Sequence, residues 1–331
     1  MLYLQNNMLS TKALALSKTY KTEKTVILEC GKTLQNIDIN YTTFGELNEA
    51  KNNVVWIFHA LTANSDPSDW WPGIVGENQV INDTEHFIVC ANMLGSCYGT
   101  TGPENTNFPL ITISDMVNVH KLLKEHLGIE KISIGIGGSM GGQQLLEWAV
   151  QEPTLFEAII PLATNAYHSP WGIAFNEAQR MALDNIDSAR GMEAARAIAM
   201  LSYRHYDTYQ KSQFDLDQRW DNFSASSYQR YQGEKLRKRF SSESYYYLSK
   251  AMDSHNIGRH FGSAEAALSR IDAKTLVIGV DSDILFPPHE QRFISAHIAG
   301  AQYAEIQSDY GHDGFLVEHD QITSLITNFL Q

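Results

Sequence analysis

The chain has 331 residues, 43% of them hydrophobic and 19% charged, which is an ordinary globular composition with enough length for a large core. Its formal net charge of −13 provides no electrostatic footprint for nucleic acid or an anionic membrane. The cysteines Cys30, Cys90 and Cys97 form neither a CxxC pair nor a metal-ligand spacing, no metal site is expected, and a reducing, cytoplasmic setting is.

In chain order, the first residues, "MLYLQNNMLSTKALALSK", contain no uninterrupted apolar segment of signal-peptide length, and no later stretch reaches a membrane span. Apolar runs predict strands at "TVILE" from Thr25, "VVWIFH" from Val54, "HFIVCAN" from His86, "KISIGIG" from Lys131, "EAIIPLA" from Glu157 and "TLVIGVD" from Thr275. Runs this continuously apolar fit a mostly parallel sheet covered on both faces. Helical patterns lie between them. "SDMVNVHKLLKEHLG" opens with Ser114 as a plausible cap and closes at Gly128, "QQLLEWAVQE" follows a glycine-rich corner, and "DQITSLITNFLQ" ends the chain with one apolar face. The alternation predicts an α/β fold with right-handed crossovers. It stops over residues 165–262, where "WGIAFNEAQRMAL" and "MEAARAIAMLSYR" read as helices. The predicted organisation is an α/β core, residues 1–164 and 263–331, with an inserted helical lid at 165–262.

Within "IGIGGSMGGQQLLEW", Gly137 to Gly141 match G-x-S-x-G around Ser139. The pattern alone is weak. Its setting, an apolar strand before and a helix after, is that of a nucleophile elbow, in which a strained turn aims a serine Oγ beside a helix N-terminus. Such a serine needs a histidine to take its proton and an acid to orient that histidine, in the chain order Ser, Asp or Glu, His. "TLVIGVDSDILFPP" offers Asp281 and Asp283, of which Asp283 lies farther into the turn; "AEIQSDYGHDGFLVEH" offers His312 after a short strand. His59, ending "VVWIFH", precedes the serine and is expected to brace its loop by hydrogen bonds. By fold analogy, the backbone N–H groups of Met140 and Leu61 (in "HALTANS") would form the oxyanion hole.

The blocks "HALT", "NMLGSCYGTTGP", "FPLITISDMV", "GGSMGGQQLLEWA", "WGIAFNEAQR", "YQGEKLRKRF", "SDILFPP" and "YGHDGFLVEH" resemble, in order, the homoserine O-acetyltransferase family. The resemblance implies an α/β-hydrolase fold with a lid and the triad Ser139, Asp283 and His312. It also implies ping-pong transfer of an acyl group from acyl-CoA, acetyl-CoA foremost, to L-homoserine in methionine biosynthesis, with no permanently bound cofactor and a homodimeric assembly. Arg180 matches the family arginine for the acceptor carboxylate, and Asp313 the position that contacts the amino-acid substrate. The alternatives are a serine acceptor, a succinyl donor, or an esterase using the same triad. Two departures touch the lid and entrance: "DNIDSARGMEAARA" after Leu183 lacks the aromatic segment of many members, and Ala63 replaces a usual glycine. From Tyr203 to Lys250 the chain has nine Lys or Arg against six Asp or Glu, four of the nine in "KLRKR" (Lys235 to Arg239), a candidate aid to CoA binding.

Overall fold

The computed structural model describes residues 17–104, 107–184 and 188–331. The N-terminal stretch read above for a leader, and part of the segment after Leu183, lie outside the described residues.

An eight-stranded sheet forms the centre, in the order β1-β4-β6-β5-β7-β8-β9-β10. β4 (Ile37–Phe44) pairs antiparallel with both β1 (Ser17–Thr22) and β6 (Phe87–Ala91). β5 (Val54–Phe58), β7 (Ile132–Gly138), β8 (Phe156–Leu162), β9 (Lys274–Val280) and β10 (Gln302–Ile306) continue from β6 in parallel. Five of the six apolar runs are strands of this sheet. "TVILE" is not: Val26–Ile27 (β2) pairs with Thr33–Leu34 (β3) in a separate two-stranded ribbon, and Ile27 is exposed. Two flanking strands carry no continuous apolar run. β4, "IDINYTTF", alternates apolar and polar residues, burying Ile37, Ile39 and Tyr41, and β1, "SKTYKT", is a polar edge.

The pleat of β5 explains the layers. Val54, Trp56 and Phe58 face one apolar core and Val55 and Ile57 the other, because successive side chains leave a strand on opposite sides. Two helices, α1 (Pro67–Trp70) and α11 (Gly314–Val317), are single turns. The first core is covered by α2 (Ile113–His126), α3 (Met140–Gln151) and α10 (Pro288–His297); the second by α12 (His319–Leu330), which buries Ile322, Ile326 and Phe329. Each of these three side chains contributes about 2 kcal/mol on burial. α2 is capped by Thr112, not Ser114: the Thr112 hydroxyl accepts from Asp115 N–H and Asp115 accepts from Thr112 N–H, so the helix begins earlier than the sequence suggested.

Between β8 and β9 lie α4 (Pro170–Asp184), α5 (Ser188–Tyr203), α6 (Tyr206–Ser212), α7 (Ser224–Arg237), α8 (Ser242–Asp253) and α9 (Ala264–Leu268). α5 packs between α4 and α7, and α8 packs on α4. The two ends of this helical segment meet in an antiparallel bridge, Tyr167 opposite Asn256, with His168 N–H donating to His255 O and Ile257 N–H to Ala166 O.

Candidate active site

Ser139 links β7 directly to α3. Its φ of 56° and ψ of −126° lie where a non-glycine residue is strained. The glycines allow the turn. A Cβ on Gly141 would lie 2.1 Å from the Phe58 carbonyl oxygen and 2.8 Å from its carbon. One on Gly138 would meet the Phe315 ring at 2.4 Å. The elbow is held from behind by its own carbonyl, which accepts from Gln143 N–H (3.1 Å) and from Thr164 Oγ1 (2.8 Å).

Two loops at the carboxyl ends of later strands reach Ser139. Asp283 follows β9; its Oδ1 accepts from the N–H groups of Leu285 (2.8 Å) and Phe286 (2.9 Å). Its Oδ2 stands 2.6 Å from His312 Nδ1, and His312 Nε2 stands 2.9 Å from Ser139 Oγ. A proton on Nδ1, donated to Asp283, leaves Nε2 to accept the serine hydroxyl. All three residues are buried, and the imidazole lies stacked on Phe286 with Phe315 at its edge. Asp281 is exposed and accepts from Ser308 N–H, without contact to His312. His59 is buried, its Nε2 accepts from Met93 N–H, and burial pushes its pKa down to about 4, so it is a neutral brace of the loop.

A cavity of about 540 Å³ opens over Ser139. Residues 60–64 form one wall, Leu61 among them. Met140, as the first residue of α3, has a backbone N–H without an intrahelical partner. The facing wall comes from the helices between β8 and β9: Arg196, Tyr203, Lys235 and Arg239. Arg239 donates to Thr62 O (2.5 Å) and Tyr98 Oη (2.9 Å), tying that wall to the 60–64 loop. Burial, then Arg239 and Arg196, push the Lys235 pKa down. The "KLRKR" block thus divides. Lys235 and Arg239 face the cavity, while Arg237 pairs with Glu193 and Lys238 with Glu234 on the surface.

The arginine expected to hold an acceptor is elsewhere. Arg180 does not line the cavity; its buried guanidinium contacts Asp253 (2.5 Å), Glu177 (2.7 Å) and Ser249 Oγ (3.1 Å). The side of α4 that carries it packs on α8, so its donors are occupied by structural partners. Arg196 is a cavity cation that the sequence motifs do not mark. It lines the cavity, its Nε is buried without a hydrogen-bond partner, and its guanidinium lies 5.3 Å from the Tyr203 ring centroid. A signal was present, since Arg196 and Tyr203 are seven residues apart, two turns along one face of a helix. Asp313 does line the cavity. It stands 3.0 Å from Arg204 Nε as an ion pair, although that N–H is not aimed at it as a hydrogen bond.

The strand order, the elbow between β7 and α3, and loops converging at the carboxyl ends of the strands define an α/β hydrolase, and the family model for the alpha/beta hydrolase fold matches residues 53–319. The homoserine O-acetyltransferase of Cyclobacterium marinum is 46% identical over 327 residues, covering 93% of this chain and 93% of the relative. The crystal structure of homoserine O-acetyltransferase from Staphylococcus aureus superposes with a TM-score of 0.83 at 27% identity, over 95% of each chain. That of esterase E22 superposes at 0.87 and 21% identity, over 95% of this chain and 99% of the esterase, a likeness of fold alone. The chain belongs to the homoserine O-acetyltransferase family.

Proposed function

We propose that this chain transfers an acetyl group from acetyl-CoA to the side-chain hydroxyl of L-homoserine, a step of methionine biosynthesis, through an acyl-enzyme on Ser139. The observation that carries the reading is the continuous hydrogen-bonded line Ser139–His312–Asp283 at the floor of a cavity whose wall holds Arg196, in no ion pair among the described residues. In the first half-reaction His312 Nε2 takes the Ser139 proton as Oγ attacks the thioester carbonyl. The oxyanion faces the Leu61 and Met140 N–H groups. The C–S bond breaks, and the thiolate leaves with the proton from His312. In the second, the homoserine hydroxyl gives its proton to His312 and attacks the ester carbonyl. The C–O bond to Ser139 breaks, and His312 returns the proton to Oγ.

Arg196 binds the acceptor carboxylate and Asp313 its ammonium; this replaces Arg180, whose charge is already neutralised. A guanidinium suits a carboxylate because two parallel N–H bonds match its two oxygens. Lys235 and Arg239 favour the anionic donor. The helices at 165–262 act as a lid that limits water at the acyl-enzyme, which is what separates transfer from hydrolysis. Two copies pair through the exposed apolar side chains of this segment, such as Leu216 and Trp220, 88% and 97% exposed; a monomer in sedimentation would refute that pairing. Cytoplasmic residence accords with free Cys30, Cys90 and Cys97. Among the described residues no helix is long and apolar enough to cross a membrane.

The test is mass spectrometry after mixing with acetyl-CoA. A 42 Da adduct (about one acetyl group) is expected on Ser139, absent in Ser139→Ala, and discharged far faster by homoserine than by water. Discharge that ignores homoserine would make the chain an esterase.

A further inference from the structure

Behind the triad lies a carboxyl that the proposed reaction does not use. Glu290 sits in the first turn of α10, at the end of the loop that carries Asp283. Its Oε2 accepts from Asn165 Nδ2 (3.1 Å), and Asn165 Oδ1 accepts from Gln143 Nε2 (2.9 Å). Gln143, in the first turn of α3, donates its N–H to the Ser139 carbonyl. The neighbouring Gln291 donates to Thr164 O, and Thr164 Oγ1 donates to the same Ser139 carbonyl. Adjacent residues of one helix thus anchor two hydrogen-bond chains that end on the nucleophile's backbone.

Glu290 also faces the triad's charges. Burial pushes its pKa up to about 7; Asn165 pulls it down, Asp283 pushes it up, and Ser169 and His312 pull it down. The other charged groups around α10 are engaged elsewhere. Arg292 pairs with Glu305 on β10, and Glu265 of α9 faces His297 at the far end of the helix. His255 and His168, on the Asn165 side, are held neutral by burial, at about 3 and about 4. His289 beside it points to solvent.

We propose that Glu290 is a positioning residue of the triad: ionised, it sets a second negative charge behind Asp283 that favours the imidazolium form of His312, while its link to Asn165 fixes the Ser139 elbow. The proposal rests on His312 being the base for Ser139. Each half-reaction passes through a state in which His312 carries the serine or acceptor proton, so a nearby anion lowers the barrier. The sign follows. A carboxyl with its pKa raised is charged above neutrality and uncharged below it, so its help is present at high pH and lost as pH falls.

The experiment compares wild type with Glu290→Gln, which keeps an oxygen to accept from Asn165 but cannot ionise. Acylation by acetyl-CoA is followed from pH 5.5 to 9 by loss of thioester absorbance. Wild type is expected to exceed the variant by roughly five-fold at pH 8.5, and the ratio should approach one below pH 6, where Glu290 is protonated and resembles glutamine. A ratio that stays constant across pH would mean simple packing damage and would overturn the proposal. If the variant does not fold, wild type alone decides: a partial step in its rate near neutral pH supports the proposal, and a single ionisation overturns it. The Ser139 acyl adduct, measured on the same samples, separates failure of this inference from failure of the triad. An adduct with a flat ratio indicts Glu290 alone, and turnover without an adduct indicts the acyl-serine.

Discussion

Replacing Arg196 by glutamine should damage one half of the catalytic cycle and spare the other. The guanidinium is half-buried in the cavity wall, its Nε has no partner, and among the described residues no ion pair neutralises it. Its removal therefore breaks no internal salt bridge, and the fold should lose little beyond the contact with the Tyr203 ring. A charge-assisted hydrogen bond to a carboxylate contributes about 1.5–3 kcal/mol, which corresponds to a loss of roughly ten- to 150-fold in kcat/KM for homoserine. Stopped-flow with acetyl-CoA alone should show acylation of Ser139 within about two-fold of wild type. Arg180→Gln is the paired control. It leaves the half-buried Asp253 opposite no cation, so it should destabilise the protein by roughly 3 kcal/mol, visible as a lower melting temperature, with both half-reactions affected alike in whatever remains folded. The assignment of Arg196 fails if its variant slows acylation as much as deacylation, or if Arg180→Gln selectively raises the homoserine KM in a protein of unchanged stability.

Asp283→Asn should lower turnover by about 10⁴-fold by favouring the wrong His312 tautomer, whereas Asp281→Asn should cost less than ten-fold because Asp281 bonds only a loop N–H; rate assays on the two variants decide. Lys235→Gln should raise the KM for acetyl-CoA several-fold at low ionic strength, with the difference shrinking as salt is added, while Lys238→Gln, whose partner is Glu234 on the surface, should leave it unchanged. A donor KM indifferent to salt in wild type would remove Lys235 from donor binding.

The parts of this molecule written in local pattern were legible in its sequence. Val54–Phe58 and Ile132–Gly138 are apolar on both faces because both faces are buried, and Ser139 stood out because close approach of Gly141 to Phe58 leaves no room for a side chain. β4 was missed because a strand beside the sheet edge alternates instead. The Thr112 cap was missed because Ser114 is an equally good cap type, and the choice depends on Asp115 reaching back, which is a matter of three-dimensional geometry. Arg180 and Arg196 differ only in what packs against their helices. Asp253, 73 residues from Arg180 in the chain, is the residue that removes Arg180 from the site, and no spacing rule encodes that encounter.

The bridge between Tyr167 and Asn256 bears on how this architecture can diversify. Because the helical segment is closed at its own base, the strands on either side meet fixed ends whatever lies between them. Lengthening or trimming the enclosed helices changes chain-closure entropy only logarithmically and does not pull on the Ser139 elbow or the Asp283 turn. Acceptor and donor preference, proposed above to rest on side chains such as Arg196 and Lys235, can then vary by insertion, deletion or recombination at a single neck, while the hydrogen-bonded line Ser139–His312–Asp283 at the strand ends is inherited unchanged. A scaffold of this kind separates the evolution of selectivity from the evolution of chemistry.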